Sequence, residues 1–146
     1  MKYTEVEGER EFLVRLENGR DWREQIEEVA DEEGIDAAWF NGMGAVTDAE
    51  LWFYDHDEKE YYPETFDDAF EVAGCVGNVT WLDGERFAHT HFVLTNDEYE
   101  AIGGHLNRAT TFAGEVWIRE FDTRVERAHD PEVTDLDLWS DESLEG

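Results

Sequence analysis

The sequence predicts an α+β domain: a mainly antiparallel β-sheet with one N-terminal amphipathic helix and short helical segments. Three observations carry that expectation. Residues 21–33 hold the one clear run of apolar residues at helical spacing. Most of the chain after residue 35 reads as strands separated by turn chemistry. Among those turns, Asp83-Gly84 between Thr80-Trp81-Leu82 and Arg86-Phe87-Ala88 has the residues of a tight hairpin.

In chain order, Glu11–Leu16 interleaves apolar and charged residues as a half-buried strand does, and Glu17-Asn18-Gly19-Arg20 is a turn. Asp21 can cap a helix that runs to Glu33, with Trp22, Ile26, Val29 and Ala30 as its apolar stripe. Gly34 ends it, and its acidic outer face reads as solvated. Ile35–Phe40 returns as a strand, which the glycines of Asn41-Gly42-Met43-Gly44 are expected to break with a tight bend. That segment lacks the spacing of a nucleotide-binding loop. Further strands are expected over Ala49–Tyr54, Glu60–Phe66, Phe70–Val79, Arg86–Leu94 and Thr111–Phe121. Residues 1–125 then form one domain. Residues 126–146 form an acidic C-terminal tail, partly ordered or docked through Leu136, Leu138 and Trp139.

Charge is the extreme property of the composition. There are 39 acidic residues against 11 basic ones, a net charge of −28, and the acids recur in every segment. With 20 aromatic residues the chain has material for a core, so this is the surface of a folded protein, not the signature of disorder. Scarce lysine and abundant carboxylate read as adaptation to a salt-saturated cytoplasm. Such a surface has little to offer DNA, whose affinity rests on lysine and arginine. The single Cys75 excludes an internal disulfide and reads as a small core residue. The N-terminus lacks a signal peptide's apolar stretch and no apolar run is long enough for a membrane span, so a cytoplasmic protein is expected.

The richest chemistry lies in His89-Thr90-His91. Two histidines two apart in a strand share one face, with Cα atoms roughly 6.5–7 Å apart. His105, after Gly103-Gly104, offers a third imidazole from a neighbouring strand. Three neutral imidazoles suit a divalent metal, zinc first, with nickel, copper and iron as alternatives. The same residues also fit a half-buried polar network. His56 and His129 read as surface residues. Serines occur only at 140 and 143, so a serine nucleophile is not expected.

Together these segments resemble the PPC (plants and prokaryotes conserved) domain, also called DUF296, as a haloarchaeal-type member. The likeness rests on Asn41-Gly42-Met43-Gly44-Ala45-Val46, on Phe70-Glu71-Val72 with Gly77-Asn78-Val79, on His89-Thr90-His91-Phe92-Val93-Leu94 and on Gly103-Gly104-His105-Leu106. It covers residues 8–121. It implies a homotrimer with metal between the histidines, and a fold similar to alpha-acetolactate decarboxylase, a zinc enzyme with histidine ligands. It also carries a DNA-binding label. Plant members bind AT-rich DNA through a separate basic AT-hook with an Arg-Gly-Arg core, which this sequence lacks. The segment through which plant domains meet transcription factors reads here Asp68-Ala69-Phe70-Glu71-Val72-Ala73, without its glycine and arginine.

Beside a metal, Glu71 is the first candidate for a catalytic acid or base, because it matches the family's Phe-Glu and interrupts an apolar strand. Its alternative is a carboxylate facing solvent. Asn78 and Arg108 are candidate ligand-binding residues: Asn78 as a hydrogen-bond partner of a ligand or a histidine, Arg108 as a clamp for a carboxylate or phosphate. A turn role for Asn78 and an interface ion pair for Arg108 are the plainer readings. Three functions follow, in this order: a homotrimeric metal-binding protein with a small-molecule role, a metal-dependent lyase or hydrolase at the same site, and a DNA-associated regulator.

Overall fold

The computed structural model describes residues 1–145. In chain order the elements are β1 (Gly8–Leu16), α1 (Trp22–Glu33), β2 (Ala38–Asp55), β3 (Glu60–Phe66), β4 (Phe70–Leu82), β5 (Glu85–Thr95), β6 (Ala101–Phe121), β7 (Arg127–Asp130) and β8 (Leu136–Trp139), then one 3₁₀ turn, Glu142–Leu144. Six strands form an antiparallel sheet in the order β1-β6-β5-β4-β2-β3. A further pairing of β6 with β2 joins β6, β5, β4 and β2 into a closed ring. The fold is thus mainly antiparallel sheet with one helix, as the sequence predicts.

The helix forms where its caps allow. The Asp21 carboxylate accepts from the Glu24 N–H at 2.9 Å, and its second oxygen accepts from the Ala109 N–H in β6 at 3.0 Å. One side chain therefore starts the helix and ties it to the sheet. Gly34 closes it at φ +69°, a left-handed position suited to glycine. Trp22, Ile26 and Ala30 are buried against β5 and β6, and the Trp22 ring meets Phe92 edge-on with centroids 5.2 Å apart.

Two expectations are corrected. Asn41–Gly44 is no bend, because β2 runs unbroken through it and pairs with both β4 and β6. The glycine there serves close approach: at Gly44 φ is +153°, and a Cβ would lie 2.0 Å from the Ala113 carbonyl oxygen. The irregularity sits instead in β4, where an extra residue at Ala73 shifts the register against both neighbours. Strand β6 is also longer than the predicted Thr111–Phe121. It begins at Ala101, and its two edges serve β2 along one side and β5 then β1 along the other.

At the hairpin, Asp83 (φ +51°) and Gly84 (φ +82°) form the two-residue turn between β4 and β5. Beyond β6, β7 and β8 pair antiparallel as a second small sheet. The Tyr54 hydroxyl donates to the Thr134 carbonyl at 2.6 Å, fastening the β7–β8 connection to β2. Among the described residues no helix is long and apolar enough to cross a membrane.

Candidate metal centre

Register brings the histidines together. On β5, His89 and His91 point to the outer face while Ala88, Thr90, Phe92 and Leu94 point into the core. His91 stands opposite His105 on β6, and His89 stands opposite Asn78 on β4. Gly103 permits this pairing, since a Cβ there would lie 2.7 Å from the Phe92 carbonyl oxygen. Ring centroids are 5.0 Å apart for His89–His91 and His89–His105, and 5.7 Å for His91–His105. One nitrogen from each ring lies within 4.8 Å of the others. Zinc–nitrogen bonds are about 2.0–2.1 Å, so small ring rotations bring all three nitrogens to a single ion.

Electrostatics favours the same use. Burial, then the Arg127 guanidinium and the other two rings, push His89 down to about 3. Burial, then His91 with Arg23 and Arg127 behind it, push His105 down to about 4. His91 has an exposed ring edge and is lowered by the part that the sheet covers. All three are therefore neutral at pH 7, with a lone pair available and no proton to displace. The His105 Nδ1 is buried without a hydrogen-bond partner. Together the donor set and the orphaned nitrogen fit a divalent ion.

The triad separates two hollows. On one side, a cavity of about 270 Å³ lies between the sheet and the β7–β8 hairpin. His89, His105 and Arg127 line it, with apolar walls from Trp52, Tyr61, Leu82, Phe87, Leu136 and Leu138. Tyr61 packs on the His105 ring at 5.3 Å, and Phe87 stacks on His89 at 6.1 Å. On the other side, His91 borders an open hollow with Asn41, Val76 and Gly103.

The remaining predicted residues fall in different places. Asn78 joins the histidines: it is buried, and its Oδ1 accepts from Arg127 Nη2 at 2.8 Å. Glu71 shares the outer face but pairs with Thr95, four residues along β5 from His91. That is roughly 13 Å from the centre, and its side chain is exposed. Arg108 faces Asp48 and Glu50, each at 3.5 Å, and is half exposed. His129 is exposed and lies between Asp135 and Asp137 at the cavity rim. The sequence reading missed Arg127. The one signal was an arginine beside few apolar residues in an otherwise acidic tail.

A ring of antiparallel strands backed by one helix, with three neutral imidazoles on its outer face, defines a small β-rich domain with a candidate metal centre. The chain belongs to the Plants and Prokaryotes Conserved (PCC) domain family, also written PPC, whose model matches residues 3–122. It is 40% identical to a metal-containing protein of Archaeoglobus fulgidus, with a TM-score of 0.91 over 96% of this chain and 99% of that one. A plant- and prokaryote-conserved protein of Pyrococcus horikoshii is 29% identical, with a TM-score of 0.89 over 96% of this chain and 97% of that one. The alpha-acetolactate decarboxylase of Bacillus subtilis shares the fold at 15% identity and a TM-score of 0.55. Here the match spans 85% of this chain and only 57% of the enzyme. No curated protein matches the sequence.

Proposed function

We propose that this is a homotrimeric metal-binding protein with a small-molecule role, in which His89, His91 and His105 hold a divalent ion, zinc first. The observation that carries the reading is the convergence of three neutral imidazoles beside a cavity the chain itself builds. The 40% identical relative from Archaeoglobus fulgidus being metal-containing supports it. Zinc would supply Lewis acidity and a bound water of lowered pKa there. His89, His91 and His105 would hold it, and Asn78 sits where it can orient His89.

The trimer rests on a row of side chains. Leu13, Trp117, Asn41, Val76 and His91 are successive register partners across β1, β6, β2, β4 and β5, and so share the outer face. Leu13 is 89% exposed, Trp117 43% and Val76 39%. Apolar side chains of this size in one exposed row are what a partner surface covers. Two further copies of the chain are the occupants we propose.

A catalytic role, as a lyase or hydrolase, is the second reading. The cavity under the hairpin and the fold shared with alpha-acetolactate decarboxylase favour it. Its acid/base would be metal-bound water or Glu71, and the roughly 13 Å between Glu71 and the histidines makes water the shorter route. A DNA-associated role is the third. A relative from Ralstonia eutropha, 29% identical, is a candidate DNA-binding protein, but the charge of −28 here opposes a polyanion.

Elemental analysis of untagged protein tests the first reading. We expect about one zinc or other divalent ion per chain in the wild type and none in His89→Ala/His91→Ala. A wild type that stays metal-free after zinc is added and excess removed would sink both metal-based readings.

A further inference from the structure

We propose that the cavity between the histidines and the β7–β8 hairpin binds small organic carboxylates, with Arg127 as the residue that selects the anion. The inference rests on the metal reading only for the second anchor of the ligand, and it commits to a residue outside the histidine set.

Arg127 is an unusual arginine for this chain. Among the described residues the other eight all lie near a carboxylate or at the surface, in a molecule with 39 acids available. Arg127 instead makes only neutral contacts. Its Nε donates to Thr80 Oγ1 at 2.9 Å, Nη1 to the Asp137 carbonyl at 2.8 Å, and Nη2 to Asn78 Oδ1 at 2.8 Å. Nη2 also lies 3.3 Å from His89 Nδ1. The hairpin carboxylates that could neutralise it, Asp135 and Asp137, are turned to His129. A guanidinium held by neutral acceptors keeps its charge, and this one faces a cavity with mainly apolar walls, with Asp135 and Asp137 also in its lining and the Asp137 charge felt at Arg127 without a direct ion pair.

The contact with His89 links the charge to the metal site. Arginine can only donate, so His89 Nδ1 is the acceptor in that contact. A neutral imidazole has one ring nitrogen free of hydrogen. If His89 gives that lone pair to a metal through Nε2, Nδ1 carries the proton and can no longer accept from Arg127. That Arg127 N–H would then be free of His89, while Arg127 has a further N–H without a partner whether or not metal is bound. Three imidazoles bring no negative charge, so a loaded site with Arg127 beside it favours an anion. Walls of Trp52, Tyr61, Phe87 and Leu138 and a volume of about 270 Å³ suit a body the size of one aromatic ring. The ligand class is therefore a carboxylate with an apolar or aromatic body. Metal and anion should each raise the affinity of the other by the same factor.

Benzoate and benzamide are matched probes, alike in shape and different in charge. Calorimetric titration into zinc-loaded wild type should show benzoate binding about tenfold or more tightly than benzamide, the scale of one charge-assisted contact. Arg127→Gln should lose that preference while retaining its zinc content, and Arg127→Lys should keep part of it. A crystal soak of the wild type should place the benzoate carboxylate within hydrogen-bond distance of Arg127, a readout independent of how the variants fold. Equal binding of the two probes, no binding of either, or an unchanged preference in Arg127→Gln would overturn the proposal. If zinc binds and the preference is missing, the metal reading stands alone. If an Arg127-dependent preference appears in a protein that takes no zinc, the anion pocket stands and the metal reading fails.

Discussion

The two sides of the histidine triad are built on opposite principles. Toward the β7–β8 hairpin the chain closes on itself: Arg127, Tyr54 and Asn78 hold the cover through hydrogen bonds, and Asn78 and Thr80 are buried although they stand on the outer face. Toward β1 the same face is left bare, with Leu13, Trp117 and Val76 exposed in a row that ends at His91. The first side is specific and polar at its contacts, so it can choose a ligand. The second is apolar and open, so it suits a partner surface. One set of histidines thus faces a pocket that the chain itself completes and an apolar row that the chain leaves bare.

The largest effect should come from breaking the bare side. Leu13→Asp places a charge at a position the monomer leaves 89% exposed, so folding should be spared and assembly lost. Sedimentation should report a trimer for the wild type and a monomer for the variant. A wild type that already sediments as a monomer would remove the interface from the comparison.

Acid should strain the covered side next. His89 and His105 titrate near 3 and 4 when folded, against 6.5 when unfolded. Between those values the unfolded chain binds protons that the folded chain refuses. Their neutral burial therefore costs nothing in protonation above about pH 6.5, and stability is lost as pH falls from there toward 3. In metal-free protein, His89→Gln/His105→Gln should show a shallower fall of melting temperature over that range. Parallel curves for the two proteins would show that acid acts elsewhere.

A smaller change sharpens the hairpin's share. Tyr54→Phe removes the donor to the Thr134 carbonyl and so one tie between the hairpin and β2. Amide exchange should quicken within residues 127–139 and stay unchanged in β5. Unaltered exchange in the hairpin would mean that Arg127 alone holds it.

Much of this was legible in the sequence where signals are local. Asp21 and Gly34 marked both ends of the helix, Asp83-Gly84 marked its hairpin, and the two-residue step of His89 and His91 fixed their common face. What escaped depends on distant partners. Gly44 reads as a bend until Ala113 is seen passing 2.0 Å from where its Cβ would be. The first half of β6 is disguised by Gly103 and Gly104, which are there because β5 and β2 approach so closely. Arg127 gave no pattern at all, since Thr80, Asn78 and His89 lie 38 to 49 positions away in the chain.

The ring of strands also sets an order of construction. Its closing strand, β6, is the last of the six to leave the ribosome, and Ala38 at the start of β2 must wait for Glu120. Once Phe121 has emerged, the three imidazoles can meet while the residues up to Trp139 are still inside the exit tunnel. For that interval the triad has no hairpin over it. The newborn chain presents its imidazoles in an open bowl, and the cover arrives afterwards.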